Sequence, residues 1–341
     1  MQLTRRACNR LVLSLLALLP GLTVHVAAAE TKEIRISQQF GLNWLALDVM
    51  IDQQMIQKRA AELGLNDVDV TLVKLSGGPA ANDALLSGRV DIAGMGGTPA
   101  FILQERTAGR QNVKAIGAVV NAPMYLITTD PAIHTMRDFS DRDRIALPAP
   151  RVSINAMVLQ MEAAKLFGAN NAAKFDPITV GMPHPDAAAT LIAGNGEIKS
   201  YVGIFPYSDE VLARAPGAHV VLSSYDVVGG EHNLAVLVCS EKWKTENPRA
   251  FKAVAAALED ALGYINADKR RAAELFVRTT KSKLPADEVY KIISAPDVVF
   301  ASTPKKTMVF ANFMHEMGLL KTKPTSWKQY FWENQYDRNG D

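Results

Sequence analysis

The residues with the most chemical promise lie in Leu75–Phe101, LSGGPAANDALLSGRVDIAGMGGTPAF. Two glycine pairs, Gly77-Gly78 and Gly96-Gly97, stand beside Ser76 and Thr98 and just ahead of Pro79 and Pro99. A small residue at the N-cap with proline at the first helical position marks a helix start, because the N–H that proline lacks is unpaired there anyway. Between the pairs, Ala84, Leu85 and Leu86 form an apolar helical face, Gly88 stops it, and Val90-Asp91-Ile92-Ala93 reads as a short buried strand. Two helix N-termini at strand ends aim free backbone N–H groups at one crevice, which suits an anion, and glycine admits a ligand close to the backbone. The same pattern also fits two ordinary tight strand-to-helix turns, and the stretch alone leaves both readings open.

Catalytic patterns fail one by one. His315-Glu316 starts like a zinc-protease pair, but three residues after Glu316 stands Leu319. His134, His184, His219 and His232 lack metal-ligand spacing, and His184, in the stiff loop Met182-Pro183-His184-Pro185-Asp186, reads as a structural histidine bordering a cleft. There is no G-x-S-x-G elbow, no phosphate-loop lysine and no dinucleotide glycine spacing. Asp67/Asp69 and Asp141/Asp143 read as solvated turn charges. No catalytic residue, metal or cofactor is expected, and the protein reads as a binding protein.

The elements that must position the glycine pairs follow from periodicity. Ile34–Ile36 is a strand feeding the loop Ser37–Gly41, and one helix is expected from about Asn43 to Gly64. Val68–Val73 is the next strand, then Val113–Val120 and Met124–Thr128. Strands alternating with helices predict α/β units with a largely parallel sheet. A charged connection, Asp130–Asp143, leads to a second series: strand Arg144–Leu147, loop Pro148–Ser153, Ser153 as N-cap, and a helix to Gly168. Strands at Ile178–Val180, Ser200–Ile204 and Val220–Leu222, a helix at Asp186–Ala193 and an irregular Ser223–Gly230 follow. The chain then re-enters a long apolar strand, Leu234–Ser240. Four helices opening at Asn247, Lys269, Pro285 and Thr303 close the chain, with a polar tail packed through Trp327, Tyr330 and Phe331.

Arg5, Arg6 and Arg10, the apolar run Leu11–Leu19 and Ala27-Ala28-Ala29 form a basic region, a short apolar core and an A-x-A site, so residues 1–29 read as a signal peptide cleaved after Ala29. The run is too short for a stable anchor. Cleavage removes three arginines and no acids, taking the net charge from +2 to 2 − 3 = −1 and leaving no nucleic-acid footprint. It also removes Cys8, so Cys239 is left alone, in an apolar strand, as an inert core thiol. The length suits two lobes.

The runs QQFGLNWLALDVMIDQQMI, SGGPAANDALLSGRVDIAGMGGTPAF, RIALPAPRVSINAMVLQMEAAKLFG and SYDVVGGEHN resemble the NitT/TauT (nitrate, sulfonate, taurine) substrate-binding proteins of ABC importers across essentially the whole mature chain. The resemblance implies the two-lobed type II periplasmic-binding-protein fold, with lobe one over 30–121 plus 229–341, lobe two over 122–228, and a ligand cleft closed by hinge motion. Carried over residue by residue, the implied ligand-binding positions are Gln38, Gln39, Phe40, Ser76, Gly77, Gly78, Gly96, Gly97, Thr98, Asn121 and Met124. Lobe two adds Arg151, Ser153, Asn155, Phe205 and Tyr207, the last two as an aromatic wall. Gly196-Glu197-Ile198-Lys199-Ser200-Tyr201 departs from the family's Asp-Ala at this strand, and the Phe205-Pro206-Tyr207 wall is an uncommon version. The implied function is that of a monomeric periplasmic receptor that captures a small anionic or polar organic solute and delivers it to a membrane permease. The alternatives are a receptor for a thiamine-pyrimidine precursor and a ligand-sensing module for a signalling partner. An enzyme of the thiamine-pyrimidine synthase kind is disfavoured, because the cysteine cluster of that chemistry is missing.

Overall fold

A computed structural model describes residues 29–341, so the expected leader lies outside the described residues apart from Ala29. Ten strands form two five-stranded sheets. The first has the order β2-β1-β3-β10-β4, from β1 (Glu33–Gln38), β2 (Asp69–Lys74), β3 (Ile92–Met95), β4 (Lys114–Asn121) and β10 (Asn233–Cys239). The second has the order β7-β6-β8-β5-β9, from β5 (Tyr125–Thr128), β6 (Ile145–Leu147), β7 (Thr179–Gly181), β8 (Ser200–Gly203) and β9 (His219–Ser223).

The two orders are the same pattern. In each sheet the first two strands of the series pair in parallel, the third joins them, and the fourth position runs antiparallel to its neighbours. That reversed strand is β10 in the first sheet, flanked by β3 and β4, and β5 in the second, flanked by β8 and β9. Each reversed strand is the first one laid down after the chain crosses between lobes. The sheets are thus largely parallel, with one exchanged strand each. β10 is buried at every position, as its unbroken apolar run demands of a strand with both faces covered. The edge strand β2 alternates exposed and half-buried residues instead.

The crossovers lie side by side. Asn233 Nδ2 donates to Asn121 Oδ1 (2.5 Å) and to the Thr303 carbonyl (3.0 Å), and Asn121 Nδ2 donates to Glu231 Oε1. Met124 and Ser224 exchange hydrogen bonds: the Met124 N–H donates to Ser224 Oγ (2.8 Å) and the Ser224 N–H to the Met124 carbonyl (2.9 Å). Long C-terminal helices, Pro248–Ala267 and Lys269–Thr280, pack on the helices that follow β1. The aromatic tail covers the open edge of β4: the Ala115 N–H donates to the Tyr330 carbonyl and the Trp332 N–H to the Ala115 carbonyl, both at 2.8 Å. Unpaired sheet edges invite aggregation, and this one is closed by the chain itself. Trp327, Tyr330 and Phe331 are all buried, as the sequence predicts, and so is Cys239.

Several boundaries differ from the sequence reading. The helix expected over Asn43–Gly64 is a short 3-10 turn followed by two helices, Leu45–Asp52 and Met55–Glu62. They are broken where Gln54 takes a left-handed conformation (φ 50°). The second helix packs on Pro248–Ala267, a long-range contact that periodicity does not carry. Ser224–Val228 is a helix where irregular chain was expected, and Glu241–Glu246 is an extra helix capped by Ser240. The helix expected to open at Thr303 starts at Thr307. Pro79 and Pro99 occupy the second and third helical positions, one and two later than predicted, because Gly78 and Gly97 each open their helix. Among the described residues no helix is long and apolar enough to cross a membrane.

Candidate functional site

Three helices point their N-termini at the gap between the sheets: Gly78–Leu86, Gly97–Thr107 and Ile154–Phe167. Each follows a strand of its sheet by a short loop, so the parallel strands set their direction. The first two have glycine N-caps, Gly77 and Gly96, with no side-chain cap, and the third is capped by Ser153, whose Oγ accepts from the Ala156 N–H (3.2 Å). The first turn of a helix leaves its N–H groups without intrahelical acceptors. Gly78, Ala80, Gly97, Thr98, Ile154 and Asn155 therefore bring uncommitted donors to one region, with three positive dipole ends behind them.

A small cavity of about 40 Å³ sits there, lined by Gln39, Phe40, Asn43, Trp44, Gly78 and Gly96 from lobe one and by Pro148, Ser153, Asn155, His184 and Ile204 from lobe two. It has room for roughly three waters or one compact group. No charged side chain lines it. Burial pushes the His184 imidazole down to about 3, so it is neutral at physiological pH. Negative charge placed here would meet backbone dipoles and neutral donors.

The walls meet closely. Thr98 Oγ1 donates across the lobes to the Val152 carbonyl (3.2 Å). Gly41, at φ 118°, lies against lobe two, where an added Cβ would stand 3.3 Å from Ile204 Cδ1 and from the Phe205 carbonyl, and 2.4 Å from Asn43 Oδ1. Gly94 in β3 gives Trp44 its place: a Cβ there would meet Trp44 Cζ3 at 2.5 Å and the Ser37 carbonyl at 2.8 Å. Gly203 in β8 does the same for Tyr201, with its Cε1 at 2.6 Å. Gln39 Nε2 donates to the Gly94 carbonyl (3.1 Å) and so holds the loop after β1 against β3.

Gln39 and Phe40 also border a second, wider chamber of about 690 Å³, open at the flank of the cleft and lined by Gln38, Asp48, Lys74, Tyr207, Glu210 and Arg214 among others. Asp48 is the buried carboxylate here. Burial raises it to about 6 against the opposing effects of Gln38, which donates to its Oδ1 at 3.3 Å, and of Lys74.

The implied site residues divide accordingly. Gln39, Phe40, Gly78, Gly96, Ser153 and Asn155 line the inner cavity, and Gln38 and Tyr207 the outer chamber. Gly77 and Gly97 are buried beside them as cap and first helical residue, and Thr98 bridges the lobes. Ser76 is exposed. Phe205 is buried next to Pro206, to which it is joined by a cis peptide, with its carbonyl facing Gly41. Asn121 and Met124 are engaged in the crossovers, away from the cavity lining. Arg151, with its side chain 73% exposed, lies 3.9 Å from Asp176 on the outside of lobe two. Asn43, Ile204 and Leu234 line the cavity without having been singled out in the sequence, because their apolar or turn context reads as core, and Trp44, an aromatic that reads as core first and as a wall for an organic moiety second, lines it as well.

Two α/β lobes joined by two crossovers, with a small cavity between them at convergent helix N-termini, define the periplasmic-binding-protein fold. The structure is similar to that of the alkanesulfonate-binding protein SsuA from Xanthomonas axonopodis pv. citri bound to MOPS, with a TM-score of 0.66 and 19% identity over 87% of this chain and 96% of that one. It is similar too to the periplasmic nitrate-binding protein NrtA from Synechocystis PCC 6803, with a TM-score of 0.67 and 15% identity over 88% and 84%. The periplasmic aliphatic sulphonate binding protein SsuA from Escherichia coli gives a TM-score of 0.64 and 18% identity over 89% and 93%. The chain belongs to the NMT1/THI5-like family, whose sequence profile matches residues 51–272. Among curated protein sequences none matches.

Proposed function

We propose that this protein is the periplasmic solute-binding component of an ABC importer. It holds a small anionic or polar organic solute, sulfonate-, taurine- or nitrate-like, between its lobes and hands it to the permease. One observation carries the reading: three helix N-termini with open first-turn N–H groups converge on an interlobe cavity that Gly78, Ile154 and Asn155 line and that has no charged side chain. A compact anion gains from this arrangement without a paired cation. Gln39, Phe40, Gly78, Gly96, Ser153 and Asn155 are its contacts, and any organic remainder extends past Phe40 into the outer chamber beside Tyr207. The domain boundaries at residues 121–122 and 228–229 and the leader at 1–29 complete the picture of an exported, hinged receptor. Nothing in the inner cavity is arranged as a nucleophile with its base, so binding rather than turnover is the expected activity.

Thermal shift and calorimetry on the mature chain with nitrate, methanesulfonate, taurine and an aminopyrimidine test the reading. Nitrate or one of the two sulfonates, methanesulfonate or zwitterionic taurine, should raise the melting temperature and bind at micromolar or better affinity. Binding of the aminopyrimidine alone would select the second reading, a receptor for a thiamine-pyrimidine precursor, which the NMT1/THI5-like family match and the Asp48 carboxylate favour. No binding by any of the four would reject both.

A further inference from the structure

The inner cavity holds one side chain that is hydrogen-bonded to a buried partner through one polar atom and leaves its second polar atom uncommitted. His184 opens the helix His184–Ala193 and lines the cavity. Its ring stacks on Tyr207, with centroids 6.2 Å apart and planes within 10°, and meets Tyr201 edge-on at 5.6 Å. His184 Nδ1 lies 2.5 Å from Tyr201 Oη. Tyr201 is fully buried in β8, and burial lifts its phenol well above the ordinary value, so the phenol keeps its proton. Among the hydrogen bonds of the described residues the buried Tyr201 hydroxyl meets no other acceptor, so its proton is donated to Nδ1 rather than left unsatisfied. A neutral ring that accepts at Nδ1 carries its own proton at Nε2. No protein acceptor meets Nε2 among the hydrogen bonds of the described residues.

We propose that His184, fixed in the Nε2–H form by Tyr201, is a solute-contacting donor of the inner cavity, and that the solute presents a hydrogen-bond acceptor to it from the lobe-two side. The proposal rests on the reading of the cavity as the solute site. It assigns Tyr201 the part of a positioning residue: it sets the tautomer and the ring orientation and does not touch the solute. It also narrows the ligand class. Solutes with an oxygen or nitrogen acceptor on the face opposite Gly78 and Gly96 fit, and solutes that present only donors there do not.

Nitrogen-15 NMR of the ligand-free protein reads the tautomer directly. The expected spectrum places the proton on Nε2 of His184 and leaves Nδ1 as an unprotonated acceptor, and a proton on Nδ1 would overturn the proposal. Calorimetry with nitrate and methanesulfonate reads the contact. For whichever probe binds the wild type, His184→Phe keeps the ring stacked on Tyr207 but removes the donor, and should weaken binding at least tenfold. His184→Gln restores an N–H and should recover part of the loss. Tyr201→Phe should weaken binding about threefold and give a mixed tautomer signal, a change that a purely structural role for Tyr201 would not produce. Wild-type affinity in His184→Phe would refute the contact while leaving the receptor reading intact. Should neither probe bind the wild type, the anion reading fails instead, and the tautomer measurement alone decides the fate of His184.

Discussion

Lobe one and lobe two repeat one strand order, yet they equip the cleft differently. Lobe one offers two helix N-termini whose glycine caps leave every first-turn donor open, together with a buried carboxylate, Asp48, at the flank. Lobe two offers a helix N-terminus capped by its own Ser153, and a neutral imidazole that opens a second helix beside a buried phenol. The difference teaches a division of labour. Glycine caps cost the helix a stabilising side-chain bond and give the solute access to bare backbone, whereas a serine cap stabilises the helix and leaves fewer donors over. On the proposed reading, lobe one supplies the dipolar seat for the solute and lobe two the capped wall opposite it.

The shared part of the two lobes is the place to expect the largest effects. Gly94→Ala forces a methyl into Trp44 and the Ser37 carbonyl, and should lower stability by about 3 kcal/mol in urea denaturation. Gly203→Ala, the counterpart against Tyr201, should cost about 2 kcal/mol, since a ring edge and Ser208 Cβ are what must shift. If only one of the two were damaging, the equivalence of β3 and β8 would fail as a structural statement.

Asp48 separates the lobes by charge. Its folded-state value of about 6 lies above that of a free aspartate, so between about pH 4 and 6 the folded protein retains a proton that the unfolded chain has released. The stabilisation from that proton is full below pH 4 and is lost as pH rises to 6. Asp48→Asn should therefore be more stable than wild type by about 2 kcal/mol at pH 7.5, with the gap closing below pH 4. A pH-independent difference would mean that the carboxylate is solvated after all. The sign is opposite for the buried neutral histidines, His184 at about 3 and His232 at about 4: stability falls as pH drops from about 6.5 toward those values, because only the unfolded chain gains the protons.

Ser153→Ala tests the cap itself. It should cost about 1 kcal/mol of stability in thermal melts, whereas Gly96→Ala, with no side-chain cap to lose and only Ile154 Cγ2 at 3.4 Å to accommodate, should cost less. Combined with Thr98→Ala, which removes the bond to Val152, Ser153→Ala should also weaken solute binding measurably. The smallest effect belongs to Arg151. Arg151→Gly should leave affinity unchanged and raise stability by up to about 1 kcal/mol, because the residue sits at φ 68° and its side chain faces solvent.

Most of the architecture was legible from local signals. The Ser153 cap, the Leu234 re-entry strand and the aromatic tail stand where periodicity and capping chemistry put them, and both glycine-proline helix starts are present with their prolines one and two positions later than expected. What stayed hidden depends on long-range contact. Gln54 breaks a helix without glycine or proline, because the following helix is drawn onto Pro248–Ala267. Trp44 and Ile204 read as core residues, and they are buried, but they also wall a cavity. His184 reads as a loop histidine until Tyr201, seventeen residues on and across a turn, is seen to hold its ring. Arg151 entered the implied site through the family resemblance, and in the structure it is a solvent-facing loop arginine with a left-handed backbone.

The placement of β10 has a consequence for how the molecule is made. Val236 pairs with Met95 and Val238 with Ala115, so β3 and β4 remain strangers until β10 arrives between them. No amino-terminal fragment can complete the first sheet. The whole second lobe must leave the ribosome first, and contacts so distant in sequence form slowly. The late strand thus serves as a timer: lobe one stays unfinished until the last third of the protein exists.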